Sequence, residues 1–425
     1  MRSPYFYARN LYWNMPVGLR NTLRKPARHI AQTLWGLRDS PSKSRFPLTS
    51  RSADLTWVQF QRNVLNHAGS YKGVFIQNVL IGWDVELYQR PQHMAIAFAE
   101  LGYLVIYQTV RWAADDVQGF RQVHPNVWLT SYNVVDEVPG SVVSVYSTDH
   151  AIDPDEFFGA DRSTHRLVYE YIDHIDPRIS GSSDNIRSLQ ALKERAFAGG
   201  VDYIVASATS LYEEAAAAVG PEKVLLVPNG VNTRHYRRRK GDTAVSPEFR
   251  AFMEKHEKVV GYFGALAPWI WYDEINRLVE ARPDLGFIFI GPDYYGGLDR
   301  ISKAQNVLCT GPISYNDLPA YAENFDICFI PFEPGEIART TSPLKLFEYF
   351  ALEKPVVVTS AMDECVRFPE VFAGADAKEL SVEIDRAFAV KDDPAFKARL
   401  ASLADENDWN HRAGAYEKVF EGLKR

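Results

Sequence analysis

The residues best suited to chemistry lie close together in one segment of the chain. Ser342 and Pro343 come directly before an apolar stretch with helical spacing, in which Lys345 and Glu348 are three positions apart. Because Ser is favoured as a helix N-cap and Pro at the first helical position, we expect a helix to begin at this pair. The free N–H groups of its first turn would attract an anion, and Lys345 would add a positive charge there. The pattern fits a phosphate at the helix start and a sugar diol at Glu348, and the spacing alone fits a solvated surface helix equally well.

Alternating strands and helices on both sides of this segment are expected to position it. Short apolar runs rich in β-branched residues, separated by helix-like segments, fill residues 71–228 and again residues 248–406. Such alternation predicts an α/β fold with two Rossmann-like, doubly wound parallel-sheet domains. The polar, basic and turn-rich residues 229–247 between them are interpreted as a linker. The two domains would face a cleft, because open α/β sheets bind ligands at the carboxyl ends of their strands.

The composition is that of an ordinary globular protein. With 425 residues, 46% of them hydrophobic and 24% charged, the chain is neither a disordered tail nor a collagen-like or coiled-coil fibre. It has no run of about 18–20 apolar residues, which argues against a membrane-spanning helix, and its start lacks the apolar core of a secretory signal. Cys309, Cys328 and Cys365 lie far apart, so we expect neither a disulfide framework nor a zinc site. A cytoplasmic location fits this cysteine usage best.

The N-terminal residues 1–70 are interpreted as a basic arm. Residues 1–50 hold nine Lys and Arg residues and one acidic residue, a net charge of +8 in a chain whose total is −7. Their apolar residues recur with the period of one helix face: Leu19, Leu23, Ala27, Ile30, Leu34 and Leu37. Charge and period together favour an anionic membrane surface as the partner of residues 1–50, with peripheral attachment at the inner face of the cell membrane. Packing on the chain's own N-terminal domain or on a second subunit is the alternative.

Five stretches resemble GT-B glycosyltransferases, in particular bacterial members that act on cell-surface polysaccharides. SPLKLFEYFALEKPVVVTS (342–360) is similar to their donor-site helix and strand, often written S-P-x-K-x-x-E-Y-x-A-x-G-K-P-V-V. QRPQHMAIAFAELGYLVIYQ (89–108) is similar to their first helix and second strand. VLLVPNGVNTRHY (224–236) resembles their interdomain pNGVd…F stretch, and VVGYFGAL (259–266) resembles the first strand and glycine loop of the donor domain. The W-x-x-R-x-x-x-Y pattern within residues 407–425 resembles the terminal helix that, in this fold, crosses back to the N-terminal domain.

The resemblance implies a hexosyltransferase-type enzyme that moves a sugar from a nucleoside-diphosphate donor to a polysaccharide or lipid-linked glycan, with no metal and no other cofactor. In that family Glu348 would bind the ribose hydroxyls, and Lys345 with the turn at Ser342 would hold the diphosphate. The loop of Gly264 would approach the phosphates or the sugar, and Ile313 would lie at the nucleobase. The donor-binding residues that the resemblance implies are Gly264, Ile313, Ser342, Pro343, Leu344, Lys345 and Glu348.

Two departures from the common family pattern bear on the mechanism. Many retaining members carry an acid eight positions before the residue equivalent to Glu348, and this chain has Thr340 there. Many members also place Arg and Lys after the glycine loop, whereas residues 265–271 contain no cation. Both departures favour a divergent subfamily, for which inversion is one of the two open stereochemical outcomes.

An inverting transfer needs a general base that takes the proton from the acceptor hydroxyl. The end of the strand RLVYEYI resembles the strand end that supplies this base in some inverting GT-B enzymes, and it runs into Asp173. Asp173 is therefore the first candidate and His150, after the preceding strand, is the second. The alternative for Asp173 is that it only caps the segment that follows.

The acceptor is expected to face the loop after the first strand and the start of the next helix. Trp83, Arg90 and His93 are the candidate residues on this side, and Arg90 at a helix start would suit an anion such as a lipid diphosphate. A surface ion pair is an equally good interpretation of Arg90. Asp115 and Asp116 resemble a metal-binding pair but fall in a loop of the wrong domain, so no metal site is predicted.

Functions of other classes are less well supported. A sugar-nucleotide epimerase shares the fold and is the nearest enzymatic alternative; a non-catalytic sugar- or partner-binding protein is the next. A dehydrogenase is disfavoured because no G-x-G-x-x-G follows the first strand. Nucleic acid is not an expected partner, because residues 51–425 carry a net charge of −15 and show no recognition module.

Overall fold

The computed structural model describes residues 54–85, 87–109, 115, 117–237 and 245–423. The helix face and the membrane contact predicted for residues 1–50 lie outside the described residues, as do Glu86 and Asp116.

The N-terminal domain is built on one mostly parallel sheet. Its strands are fully buried at the centre, as expected for sheets covered by helices on both faces. In the described part of the chain the strand order is β3-β4-β2-β1-β5-β6-β7-β8, and only β3 runs antiparallel to its neighbour. The strands are β1 (Val74–Val79), β2 (Leu104–Thr109), β3 (Phe120–His124), β4 (Val127–Thr130), β5 (Ser141–Tyr146), β6 (His165–Tyr171), β7 (Tyr203–Ala206) and β8 (Val224–Leu226).

The C-terminal domain holds a second sheet, and its neighbouring strands are all parallel within the described residues. The order is β11-β10-β9-β12-β13-β14, which places β9 and β12 at the centre. The strands are β9 (Val259–Phe263), β10 (Gly286–Ile290), β11 (Val307–Gly311), β12 (Ile327–Ile330), β13 (Val356–Thr359) and β14 (Val371–Gly374). The predicted α/β class with two parallel-sheet domains is therefore confirmed.

Helices connect the strands in both domains. Those of the N-terminal domain are α1 (Trp57–Asn63), α2 (Arg90–Glu100), α3 (Pro154–Phe158), α4 (Pro177–Ser180), α5 (Ser183–Arg195) and α6 (Thr209–Val219). Helix α7 (Thr233–Arg237) lies between the two domains. Those of the C-terminal domain are α8 (Pro247–Lys255), α9 (Tyr272–Ala281), α10 (Gly297–Arg300), α11 (Leu318–Ala322), α12 (Glu336–Thr340), α13 (Leu344–Ala351), α14 (Asp363–Val366), α15 (Ala377–Val390) and α16 (Pro394–Glu406). No helix of the described residues is long and apolar enough to cross a membrane.

The predicted boundary of the basic arm at residue 70 is wrong. Helix α1 packs on the N-terminal sheet, because the Phe60 ring stacks on Phe120 with the ring centroids 4.1 Å apart. Asp54 forms an ion pair with Arg121 at 2.7 Å, and the backbone of Leu55 pairs with that of Phe120. Residues 54–70 therefore belong to the N-terminal domain. The local spacing could not reveal this, since the partners in these contacts lie 60 to 67 residues further along the chain.

The end of the chain returns to the N-terminal domain as two short helices, α17 (Trp409–Gly414) and α18 (Glu417–Phe420), rather than one. Tyr416 and Val419 are fully buried in a core cluster with residues of β1, β2 and α2. The Phe420 ring lies 4.4 Å from Tyr103 between ring centroids. The C-terminal segment is thus part of the core of the first domain.

Candidate functional site

Two glycine loops touch each other at the carboxyl ends of β9 and β10 in the C-terminal domain. Gly264 follows β9 with φ +139°, and Gly291 follows β10 with φ +150°. A Cβ atom on Gly291 would lie 1.9 Å from the Gly264 carbonyl oxygen, so the two loops touch through backbone. Only glycine fits this approach, because a side chain would collide and the left-handed conformation would be strained.

Lys345 lies directly across the loop of Gly264. A Cβ atom on Gly264 would come within 2.8 Å of Lys345 Cε, so the glycine makes room for the lysine itself. The Lys345 ammonium lies 5.2 Å and 5.5 Å from the ring centroids of Phe332 and Tyr262, and no acid of the described chain pairs with it within 4 Å. Burial lowers the pKa of Lys345 to about 8, an effect that nearby Glu348 partly opposes.

Glu348 lies one turn further along α13 and is buried, with 7% of its surface exposed. Burial raises the pKa of Glu348 to about 7, and the Tyr236 hydroxyl and Lys345 partly offset this. Within the described residues the hydroxyls of Tyr236 and Tyr315 are buried without a hydrogen bond of regular geometry. Both tyrosines are close enough to Glu348 for its charge to raise their pKa values, after the larger effect of burial. Polar groups with few partners therefore gather around this carboxyl.

The start of α13 differs from the prediction by one residue. Pro343 occupies the N-cap position and the helix begins at Leu344, which packs against the core cluster of the N-terminal domain. The Ser342 hydroxyl does not cap the helix, because it accepts a hydrogen bond from the backbone N–H of Asn229 at 3.1 Å. No side chain among the described residues caps α13, so its first turn keeps the N–H groups that attract anions.

Arg90 was predicted to face an acceptor anion, and the structure corrects this. Its side chain is 2% exposed and forms an ion pair with Glu170 at 3.3 Å. The same guanidinium donates to Tyr416 Oη at 3.4 Å, to Asn229 Oδ1 at 3.2 Å and to the Pro228 carbonyl oxygen at 3.3 Å. Both terminal nitrogens are thus engaged by protein groups. A position at a helix start indicates nothing about partners that come from distant segments.

His93 and Trp83 are also buried, which corrects their prediction as residues open to an acceptor. The His93 ring stacks on Trp409, with the centroids 5.2 Å apart, and His93 Nε2 has no hydrogen-bond partner in the described structure. Burial lowers the pKa of His93 to about 3, with a smaller contribution from His235. Trp83 packs its edge against Tyr107 at 5.2 Å between centroids. Both side chains are therefore part of the packed interior.

An aromatic stack joins the two domains beside His93. Tyr88, before α2, lies flat on Tyr315 with the centroids 4.8 Å apart, and Tyr315 lies flat on His235 at 4.0 Å. His235 Nε2 also lies 2.9 Å from the Tyr315 carbonyl oxygen. Ile313 is two residues before Tyr315 and packs at the edge of the C-terminal core. The loop predicted to hold a nucleobase therefore contacts the N-terminal domain directly.

Asp173 follows β6 at the carboxyl end of the N-terminal sheet. Its backbone N–H donates to Ser147 Oγ at 3.3 Å, which ties it to the loop after β5, where His150 lies. Its partly buried carboxyl makes no hydrogen bond to any side chain or backbone group that the structure describes. Burial raises the pKa of Asp173 to about 7, and Arg90 partly opposes the rise. Asp176, not Asp173, caps α4 by accepting from the Arg178 N–H at 2.8 Å, so the capping alternative for Asp173 is excluded.

The aspartate pair that resembled a metal site has a structural contact in its described member. Asp115 accepts hydrogen bonds from the backbone N–H groups of Trp83 at 3.0 Å and Asp84 at 2.9 Å, which closes the loop after β1. Across the described residues no three His, Cys, Asp or Glu side chains come together as metal ligands would.

Sequence reasoning missed several residues of this site. Asn229 and Tyr236 lie within the interdomain stretch that was recognised, and Tyr236 stands where the family pattern has Phe. The presence of Tyr in place of the family's Phe could have predicted a hydroxyl group near Glu348. Tyr315 and Glu170 carried no local signal, because their neighbours come from the other domain or from the chain terminus.

Comparison with known proteins shows which sequences this chain is similar to. Residues 257–402 match the protein family described as "Glycosyl transferases group 1". A curated relative, a putative teichuronic acid biosynthesis glycosyltransferase of Bacillus subtilis (strain 168), is 26% identical over 258 residues, which cover 58% of this chain and 64% of the relative. The alignment thus spans less than two thirds of that relative's length.

Two solved structures have a similar fold. The Anabaena protein HepE in complex with UDP-glucose has a TM-score of 0.54 and 15% identity, over 83% of this chain and 99% of that chain. A trehalose-6-phosphate protein from E. coli bound with UDP-2-fluoro glucose has a TM-score of 0.58 and 10% identity, over 83% of this chain and 100% of that chain. The GT-B fold expected from the sequence is confirmed.

The contacts of Arg90 lead to a first prediction. Arg90→Met leaves the Glu170 carboxylate buried without its cation and should lower the free energy of unfolding by about 3–5 kcal/mol. The double variant Arg90→Met/Glu170→Gln should recover much of this, since no charge is then stranded. Chemical denaturation followed by fluorescence measures both. Arg187→Met, which breaks the exposed pair with Asp184, is the control and should cost less than about 1 kcal/mol. Wild-type stability of Arg90→Met would contradict the structural role.

Proposed function

We propose that this chain, a relative of the group 1 glycosyltransferases with the GT-B fold, transfers a sugar from a nucleoside diphosphate to a glycan acceptor, either a polysaccharide or a lipid-linked glycan. The observation that carries the proposal is the pairing of Lys345 and Glu348 on α13. Lys345 lies against the loop of Gly264, Glu348 lies one turn further along the helix, and both have pKa values displaced by burial. Such displacement is typical of sites that are completed by a ligand.

The donor diphosphate would occupy the start of α13. The helix begins without a side-chain cap from the described residues, and its dipole and N–H groups favour negative charge there. Lys345 supplies the cation, so the charge of the diphosphate is met by the chain itself, and we propose that no metal or other cofactor takes part. Glu348 would accept hydrogen bonds from the ribose hydroxyls, with the neighbouring Tyr236 hydroxyl beside it.

The acceptor would approach from the N-terminal domain, where Asp173 is the proposed general base. Its raised pKa suits a group that must take a proton near neutral pH. Asp173 also lies within the electrostatic influence of Arg90, which contacts Asn229 beside the donor helix. This supports a position between the two substrates. His150, in the adjoining loop, remains the second candidate.

We propose a cytoplasmic location, with peripheral attachment to an anionic membrane surface through residues 1–50. The net charge of +8 in that segment supports the attachment, because each basic residue near an anionic surface contributes about 1 kcal/mol. The three cysteines, all free, support a reducing compartment.

The donor site is tested by two substitutions. Lys345→Ala should weaken the binding of the nucleoside diphosphate by about 1.5–3 kcal/mol, the range for a hydrogen bond to a charged group, and Glu348→Ala should also weaken it. A thermal-shift panel of UDP-, GDP-, ADP- and dTDP-sugars identifies the donor, and calorimetry then measures affinity. Lys354→Ala is the matched control. Lys354 is a partly buried lysine of the same domain, but it lies before β13, at the amino ends of the strands and away from the proposed donor site. Unchanged affinity in both site variants would refute the assignment.

The lowered pKa of Lys345 predicts how donor binding depends on pH. Above about pH 8 the free protein loses the Lys345 proton, while a bound diphosphate favours the charged form, so binding must take up a proton. The dissociation constant should then rise by up to about tenfold per pH unit. Lys345→Arg stays charged and should give a flat profile between about pH 7.5 and 9. The same slope in both proteins would show that another group titrates.

Replacing the proposed base should separate turnover from donor binding. Asp173→Asn keeps the shape of the side chain but cannot take the proton, so turnover should fall by about 100-fold or more while donor affinity stays unchanged. Release of nucleoside diphosphate measures turnover. Asp176→Asn is the control, because it weakens the cap of α4 and the ion pair with Arg178 but leaves Asp173 unchanged. If Asp173→Asn turns over normally and His150→Ala does not, His150 is the base.

A further inference from the structure

Asn229 contacts three separate parts of the molecule at the junction of the two domains. Its backbone N–H donates to Ser342 Oγ at 3.1 Å, and its Nδ2 donates to the Ser342 carbonyl oxygen at 2.5 Å. Its Oδ1 accepts from Arg90 at 3.2 Å, and its carbonyl oxygen accepts from Arg412 Nε at 3.1 Å. Asn229 is 8% exposed, so these bonds form with little competition from water.

The two bonds to Ser342 fix the entry of the donor helix. Ser342 is two residues before Leu344, where α13 begins, and α13 is a rigid element that carries Lys345 and Glu348. An attachment at two points, one to the hydroxyl and one to the backbone, restricts both position and rotation of the turn. Displacement of Asn229 would therefore move both site residues together.

The bond to Arg90 fixes the other end of this connection. Arg90 is itself held by Glu170 and Tyr416 inside the N-terminal domain. Glu170 belongs to β6, the strand that leads into Asp173 three residues later. The chain of contacts thus runs from the donor helix, through Asn229 and Arg90, to the strand that leads into the proposed base.

We propose that Asn229 is a positioning residue that keeps the donor helix in register with the N-terminal domain, so that the sugar and the acceptor meet at reacting distance. The inference rests on the proposed function and deepens it, because it names the contact that aligns the two halves of the site. Asn229 touches neither substrate in this scheme. Misplacement of reacting groups by about 1 Å can reduce a rate by about 100-fold, so the loss of this contact should act on turnover.

The test compares Asn229→Ala with a matched buried asparagine. Asn306 lies in the C-terminal domain, is 9% exposed, and its Nδ2 donates to three backbone carbonyl oxygens, those of Val279, Arg282 and Leu285. Asn306→Ala should therefore destabilise the protein to a similar degree without touching the junction. Both variants are made in the full chain, with UDP-glucose as the first probe donor and the other sugars of the panel where it does not bind.

The expected result is a split between kcat and donor affinity. Asn229→Ala should lower kcat by about tenfold or more and change the donor dissociation constant by less than about threefold, because Lys345 and Glu348 remain on one helix. Asn306→Ala should change neither. A fall in kcat no larger than that of Asn306→Ala, or a loss of donor affinity with kcat unchanged, would overturn the inference.

Ser342→Ala provides a second variant should Asn229→Ala fail to fold. It removes only the hydroxyl that accepts from the Asn229 N–H and should lower kcat in the same direction, with less effect than the full loss of Asn229. Where both variants fold, the double variant should have nearly the kcat of Asn229→Ala, and independent, multiplicative effects would contradict the proposal.

Failure of the proposed function can be distinguished from failure of this inference. If the wild-type protein binds no sugar of the panel, the proposed function fails. If the wild-type protein turns over and Asn229→Ala is unaffected, the proposed function stands and only this inference is refuted.

Discussion

The buried ion pair between Arg90 and Glu170 is the interaction on which the rest of the structure depends. Two charges removed from water are strongly unfavourable unless their remaining hydrogen-bonding groups are also satisfied. Tyr416 from the C-terminal segment donates to Glu170 and accepts from Arg90, and Asn229 from the interdomain stretch accepts from Arg90 as well. The pair therefore requires segments far apart in sequence to meet at one place. This requirement joins the first domain, the interdomain stretch and the terminal helices into one unit.

In the C-terminal domain, the burial of two charged side chains is not fully compensated by other groups of the described protein. Lys345 and Glu348 are enclosed near each other without an ion pair to a third residue of the described chain, and their pKa values move in opposite directions for the same reason. Each shift reports desolvation that a well-placed ligand group can offset. At the junction Arg90 and Glu170 neutralise each other within the protein, whereas the helix start keeps unsatisfied charge and backbone donors for a substrate.

The sequence predicts what depends on local pattern and fails where distant partners decide. Buried β-branched runs predicted the two parallel sheets, and Pro343 with the apolar spacing after it predicted α13 to within one residue. The cap assigned to Ser342 was wrong because Asn229, more than a hundred residues away, uses the hydroxyl. Arg90 looked exposed for the same reason, since its ion-pair partner lies eighty residues further along. The contact between Lys345 and Gly264 depends on the order of the strands in the sheet. The spacing of residues along the sequence does not predict that order.

The return of the chain's end to the first domain has a consequence for synthesis on the ribosome. The core around Phe75 and Phe98 is closed by Tyr416 and Val419, which are made only after the whole second domain. Domains generally fold from the N-terminal side as they emerge. Here the first domain emerges with an uncovered apolar face and with Arg90 and Glu170 short of a partner, and it must wait for the whole second domain to follow. Its final folding step therefore comes after residues 409–420 have emerged, so that the first domain completes its core only once the second domain has been made.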